Sequence, residues 1–230
     1  MLSPDGWVRA IVALCAGAGA IQEYCGEYCT QEDAMTEQSL NLARTALVLI
    51  DLQNSNVRRE LAPYTAEQAV GNCVLLAQEM RNRGAMIVYV RVLVNELPSP
   101  LADAPMRLPG AAAPPYDASE LAPMADVEAS DIVVIKRQWG AFYGTELDQL
   151  LRRRAIDTLV LGGIATNFGV ESTARAAFDR NYKLVFAEDA MTSMEAEAHH
   201  FACKHIFPRM GRVRSTRALI DMLQAGTGDA

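Results

Sequence analysis

From residue 45 onward, short continuous apolar runs alternate with stretches whose apolar residues recur at helical spacing, and this alternation restricts the possible folds more than any other property of the chain. The runs cover residues 46–50, 86–93, 132–135, 158–161 and 184–187, with a weaker one at Gly211–Arg214. They lack polar alternation, so they predict strands buried on both faces, as in a parallel sheet covered by helices. Between them, residues 66–83 carry Ala69, Val70, Cys73, Leu76, Ala77 and Met80 at helical spacing and stop at Gly84, a residue suited to a helix C-terminus. Further helices are predicted over 145–154, 170–180, 195–206 and 216–224. The order predicts an α/β fold: a three-layer α/β/α sandwich around a mainly parallel, roughly six-stranded doubly wound sheet.

A chain of 230 residues fits one such domain, expected over residues 44–230 and preceded by a poorly ordered N-terminal extension, residues 1–43. The apolar stretch 8–20 is too short to span a bilayer, which takes about 20 residues. As an export signal it is weakened by Asp5 and by internal glycines, and an extended start is the preferred reading. Acidic residues outnumber basic ones, 28 to 21, so no field gathers nucleic acid or anionic lipid. Arg152, Arg153 and Arg154 read as a solvated helix end. Five cysteines form no even framework and no zinc spacing, which points to a reduced, cytoplasmic protein. One connection is unusual: residues 95–130 hold seven prolines, a pattern expected of a lid or of an insertion at an interface.

In an open parallel sheet the ligand crevice lies beyond the carboxyl ends of the strands. Asp51 ends the first run, either capping the turn or serving as an acid, and Lys136 ends the third, either as a surface lysine or as a site residue. The fourth run opens into Gly162 and Gly163 and then a helix start, where backbone N–H groups suit an anion or oxyanion. The spacing of these glycines is not that of a dinucleotide-binding loop, and no cofactor is expected.

Together the segments "LVLIDLQN", "VIKRQWGAFYGTELDQLL" and "DTLVLGGIATNFGVESTARAAF" resemble the isochorismatase-like hydrolase superfamily, which includes isochorismatases, nicotinamidases and N-carbamoyl amidases. The resemblance runs from about residue 44 to about residue 223. In cysteine members the triad is an aspartate, a lysine and a cysteine, matching Asp51, Lys136 and the position of Gly169. Gly169 has no side chain to attack with. True isochorismatases also keep the acid and lysine and carry glycine at that position, and their hydrolysis of a vinyl ether needs an acid and water but no covalent intermediate. The resemblance therefore implies a hydrolase of a small metabolite using Asp51 and Lys136 without a covalent cysteine. A cysteine-type amidase with another nucleophile and a catalytically silent binding protein are the alternatives.

The resemblance also implies a cis peptide bond between Ile164 and Ala165 that aims N–H groups of Ala165, Thr166 and Gly169 into the crevice. Gln53, Trp139 and Phe142 are candidates for the substrate pocket, although Gln53 could make the turn and Phe142 could belong to the core. Nicotinamidases hold a metal beside their triad, but the matching region around residues 90–95 has no histidine, and His199, His200 and His205 lack metalloprotease spacing, so no metal is expected. The family's habit implies a homodimer or homotetramer.

Overall fold

The computed structural model describes residues 40–225 apart from 99, 107 and 109. The expected N-terminal extension lies almost wholly outside the described residues, as does the apolar stretch 8–20. Six strands, β1 (Thr45–Ile50), β2 (Met86–Val92), β3 (Ile132–Lys136), β4 (Thr158–Ile164), β5 (Lys183–Thr192) and β6 (Gly211–Arg214), pair in parallel in the order β3-β2-β1-β4-β5-β6. Helices α1 (Asn54–Val57), α2 (Ala66–Arg81), α3 (Leu147–Arg153), α4 (Glu171–Phe178), α5 (Ala196–Phe201) and α6 (Thr216–Ala225) fill the connections. This is the doubly wound sandwich expected from the alternation of runs. The winding reverses between β1 and β4, so the crevice of the switch point opens beyond Ile50 and Ile164.

The core follows from the apolar runs. Every residue of β1 and β4 is buried, as a strand covered on both faces requires. At the start of α2, Thr65 accepts from the Gln68 N–H while the Gln68 side chain accepts from the Thr65 N–H, a reciprocal cap that fixes where the helix begins. The helix then buries Ala69, Val70, Cys73, Leu76, Ala77 and Met80, the face read from the sequence. Among the described residues no helix is long and apolar enough to cross a membrane.

Strands β4 and β5 run further than the apolar pattern indicates. Gly162 and Gly163 remain in register with Leu49 and Ile50 instead of forming a turn. Gly163 has φ +121°, and a Cβ there would overlap the backbone of Ile50, so only glycine lets the two strand ends meet at the crevice. Gly163→Ala is expected to lower stability by about 3 kcal/mol or more, read as a fall in the urea midpoint. In β5, Glu188 and Asp189 interrupt the apolar run yet stay in the strand; Asp189 Oδ1 accepts from the Thr216 N–H (2.6 Å) and caps α6.

The helix predicted at 170–180 is found as α4, and the one predicted at 195–206 is divided. A wider π-turn, Thr166–Val170, leads into α4, and another, Ala202–Ile206, follows α5. The proline-rich connection between β2 and β3 returns over the carboxyl end of the sheet, where Leu121 bridges Gln53.

Candidate active site

Two residues at strand ends meet in the crevice. Asp51 follows β1 with φ +53°, a left-handed conformation that an aspartate tolerates better than most residues and that turns its carboxylate across the sheet end. Lys136 ends β3 and reaches across β2, placing Nζ 2.9 Å from Asp51 Oδ2 and donating to the Trp139 carbonyl at 2.6 Å. The Lys136 side chain is wholly buried and that of Asp51 nearly so. Burial pushes the Asp51 carboxyl up to about 6, against the pull of the Lys136 ammonium. Asp51 Oδ1 is buried and has no hydrogen-bond partner among the described residues. The acid therefore has one oxygen held by the lysine and one left over, in a wall of the cavity below.

The third position is Gly169, in the π-turn after β4. A Cβ built there would lie 3.0 Å from Asp51 Oδ2, 3.2 Å from Lys136 Nζ and 2.8 Å from Ile50 Cγ2. Its carbonyl accepts from Thr173 Oγ1 (2.7 Å), which in turn accepts from the Ala141 N–H (3.1 Å), so the turn is tied to the loop that follows Lys136. Asn56 joins the two strand ends by donating from Nδ2 to the Asp51 carbonyl (2.9 Å) and the Ile164 carbonyl (3.4 Å). The Ile164–Ala165 peptide bond is cis.

These groups border a cavity of about 80 Å³, whose walls include Asp51, Asn56, Ala165, Gly169, Trp139 and Phe168. It borders a larger outer cavity of about 1470 Å³ walled by the proline-rich connection, with Arg59, Met106 and Trp139 bordering both. Trp139 meets Phe168 edge to face, ring centroids 5.0 Å apart, at the boundary.

The structure thus brings Asp51, Lys136, Ala165, Gly169 and Trp139 together, but it places two expected pocket side chains, Gln53 and Phe142, elsewhere. Gln53 is fully buried, its amide donating to the Val92 and Ala118 carbonyls and accepting from the Val92 N–H, so it braces the turn and does not border the cavity. Phe142 packs in the core against Tyr182, while Tyr143 faces solvent. The Thr166 side chain is turned from the inner cavity, its hydroxyl meeting His199 Nδ1 at 2.9 Å, which leaves the expectation for its backbone N–H as it stood. The turn also satisfies part of its own backbone: the Phe168 and Val170 N–H groups both donate to the Ala165 carbonyl, so they are not free for an oxyanion.

Behind the turn, His199 Nε2 lies 3.0 Å from Glu188 Oε1, and Tyr64 donates to the same carboxylate. Burial holds the His199 pKa below the usual histidine range, so the neutral ring accepts from Thr166 and donates to Glu188. None of these four side chains borders the inner cavity. They hold the π-turn in place. His199→Ala, which empties a buried ring position and strands the Thr166 hydroxyl while Glu188 keeps Tyr64, is expected to cost about 3 kcal/mol in urea unfolding. Among the described residues no group of three or more His, Cys, Asp or Glu converges as a metal site.

Phe168 and Arg59 are cavity residues that sequence reasoning passed over. Phe168 adjoins Gly169 in the third motif and could have been included on that ground. Arg59 has no such signal, because beside Arg58 it reads as a solvated helix end.

A doubly wound parallel sheet with a buried acid facing a cavity at its switch point, and a buried lysine paired to that acid from the edge strand, defines an α/β enzyme of small molecules. The chain belongs to the isochorismatase family, whose domain model matches residues 45–218. It is 44 % identical over 189 residues to the uncharacterised isochorismatase family protein YecD of Escherichia coli O157:H7, covering 80 % of this chain and 98 % of that protein. An isochorismatase family protein from Burkholderia thailandensis has a similar structure, with TM-score 0.75 and 38 % identity, covering 81 % of this chain and 98 % of that one. N-carbamoylsarcosine amidase from Thermoplasma acidophilum shares the fold at 28 % identity and TM-score 0.57, covering 75 % of this chain and 96 % of that one. The protein is an isochorismatase-like hydrolase.

Proposed function

We propose that the protein hydrolyses a small metabolite by acid catalysis at Asp51, with Lys136 beside it and no covalent intermediate. The observation that carries this reading is the position of Gly169. A side chain there would start in contact with both Asp51 Oδ2 and Lys136 Nζ, where a nucleophile would be held, and this chain has none. Neither described cysteine replaces it: Cys73 is buried in α2 and Cys203 lies behind the π-turn, each with its thiol pKa raised by burial.

With the carboxyl protonated, the unpartnered Oδ1 is the natural site of the proton. For an enol ether, Asp51 gives that proton to the terminal carbon of the double bond, leaving an oxygen-stabilised cation. Water adds to the cation and returns a proton to Asp51, and the hemiketal breaks into an alcohol and a ketone. Lys136 stabilises the carboxylate in the interval. No cofactor enters these steps. Assembly as a homodimer or homotetramer belongs to the same proposal, supported by the exposed Leu101 and Tyr116 on the proline-rich connection.

The test is a metabolite-depletion screen comparing wild type with Asp51→Asn. A compound consumed by the first and not by the second identifies the substrate, and iodoacetamide is expected to leave that rate unchanged. Loss of activity on alkylation would move the reading to a thiol enzyme. Saturable ligand binding without any depletion would move it to a silent binding protein.

A further inference from the structure

The charges around the two cavities do not cancel. Among the described residues bordering them, the cations are Arg58 and Arg59 and the acid is Asp51. Asp51 is balanced by Lys136 at 2.9 Å. Arg58 is balanced by Asp117, which it grips with both terminal nitrogens, Nη1 to Oδ1 at 3.1 Å and Nη2 to Oδ2 at 2.5 Å. Arg59 has no carboxylate partner among the described residues. Its Nε donates to the Ser55 carbonyl at 3.0 Å, one helical turn back, which steadies the guanidinium and leaves both terminal nitrogens available. It borders both the small inner cavity and the outer one, and Trp139, Phe168 and Met106 supply apolar surface beside it.

From this arrangement we infer that Arg59 is a specificity-determining residue that receives a carboxylate on the substrate, with the planar or apolar body of the molecule against Trp139 and its reacting end at Asp51. The paired terminal N–H groups of a guanidinium match the two oxygens of a carboxylate, and a preset side chain loses little freedom in making the pair. A neutral amide of the same shape has only one acceptor to offer and gains no charge attraction. The inference rests on the reading of the inner cavity as the substrate site, and it extends that reading to the class of substrate.

Binding, measured without turnover, tests it. Sodium benzoate and benzamide share shape and differ in charge, and calorimetric titration of the full chain with each is the direct comparison. Benzoate is expected to bind wild type at least tenfold more tightly than benzamide. Arg59→Gln should erase that preference by bringing benzoate down to the level of benzamide, and Arg58→Gln should keep it, because Arg58 is already held by Asp117. Benzamide binding also reports that each variant is folded. Equal binding of the two probes to wild type, or a preference that survives in Arg59→Gln, overturns the inference. A preference lost in Arg59→Gln in a protein that depletes no metabolite upholds Arg59 as the carboxylate site and removes only the hydrolysis.

Discussion

Asp51→Asn is expected to reduce kcat for the identified substrate about 10²–10⁴-fold, the range over which a positioned acid acts. The variant keeps an oxygen for Lys136 but removes the negative charge, leaving a fully buried ammonium without its counter-charge. Breaking a buried pair from one side is costly, on the order of 3 kcal/mol, so a loss of activity alone would be open to a folding explanation. The double variant Asp51→Asn, Lys136→Met separates the two effects. Removing both charges from a buried pair is commonly neutral or stabilising, and the double variant is expected to recover most of the urea midpoint while staying inactive. Substantial turnover in either variant would exclude Asp51 as the acid.

The same residue fixes the pH dependence. Burial raises the Asp51 pKa from 3.8 to about 6, so below pH 6 most molecules carry the proton and above it most do not. If Asp51 acts as an acid, kcat/KM is level below about pH 6 and falls tenfold per pH unit above it. If it acts instead as a base, drawing a proton from a nucleophile, the limb is inverted and activity rises toward pH 6 before levelling. The slope of the profile thus tests acid against base without any substitution, and Asp51→Asn should abolish the limb along with the rate.

The sandwich could be read from the sequence because buried parallel strands leave continuous apolar runs, as β1 and β4 do; the edge strands β3 and β6 are only partly covered, and the β6 run is correspondingly weak. The ends of β4 and β5 could not. Gly162–Gly163 and Glu188–Asp189 carry turn chemistry in one dimension, whereas their pairing and capping partners, Ile50 and Thr216, are far away along the chain. The site divides in the same way. Asp51 follows the buried run of β1 and Lys136 ends the apolar run of the edge strand β3, and a residue in that place is positioned by the sheet itself. Gln53 and Phe142 stand close to them in sequence, yet the direction of a side chain depends on a turn whose geometry only the fold determines. Gln53 finds three backbone partners from two other segments, and Phe142 finds Tyr182. Arg59 gains meaning only by comparison with Arg58, whose partner Asp117 lies across the long connection.

Gly169→Cys, which installs the side chain that the cysteine hydrolases use, is expected to fail as a single substitution. Its Cβ would stand 2.8 Å from Ile50 Cγ2, and Ile50 is a β-branched residue in a fully buried strand, unable to swing that methyl aside. Overpacking of this kind costs about 1–3 kcal/mol. The intruding atoms would also lie 3.0 Å from Asp51 Oδ2 and 3.2 Å from Lys136 Nζ, disturbing the pair that the proposed chemistry needs. The variant should therefore lose the native turnover and gain no hydrolysis of primary amides. Ile50→Ala removes the obstructing methyl, and in the double variant the two destabilisations should sum to less than their separate values, since the new side chain enters the space the old one vacated. A thiol beside Asp51 and Lys136 is then placed for attack on a carbonyl, and iodoacetamide-sensitive amide hydrolysis is expected to emerge in the double variant alone. Amide hydrolysis by Gly169→Cys with unchanged stability would mean that Ile50 does not close the nucleophile position, and that glycine at this point is separated from a cysteine enzyme by a single residue.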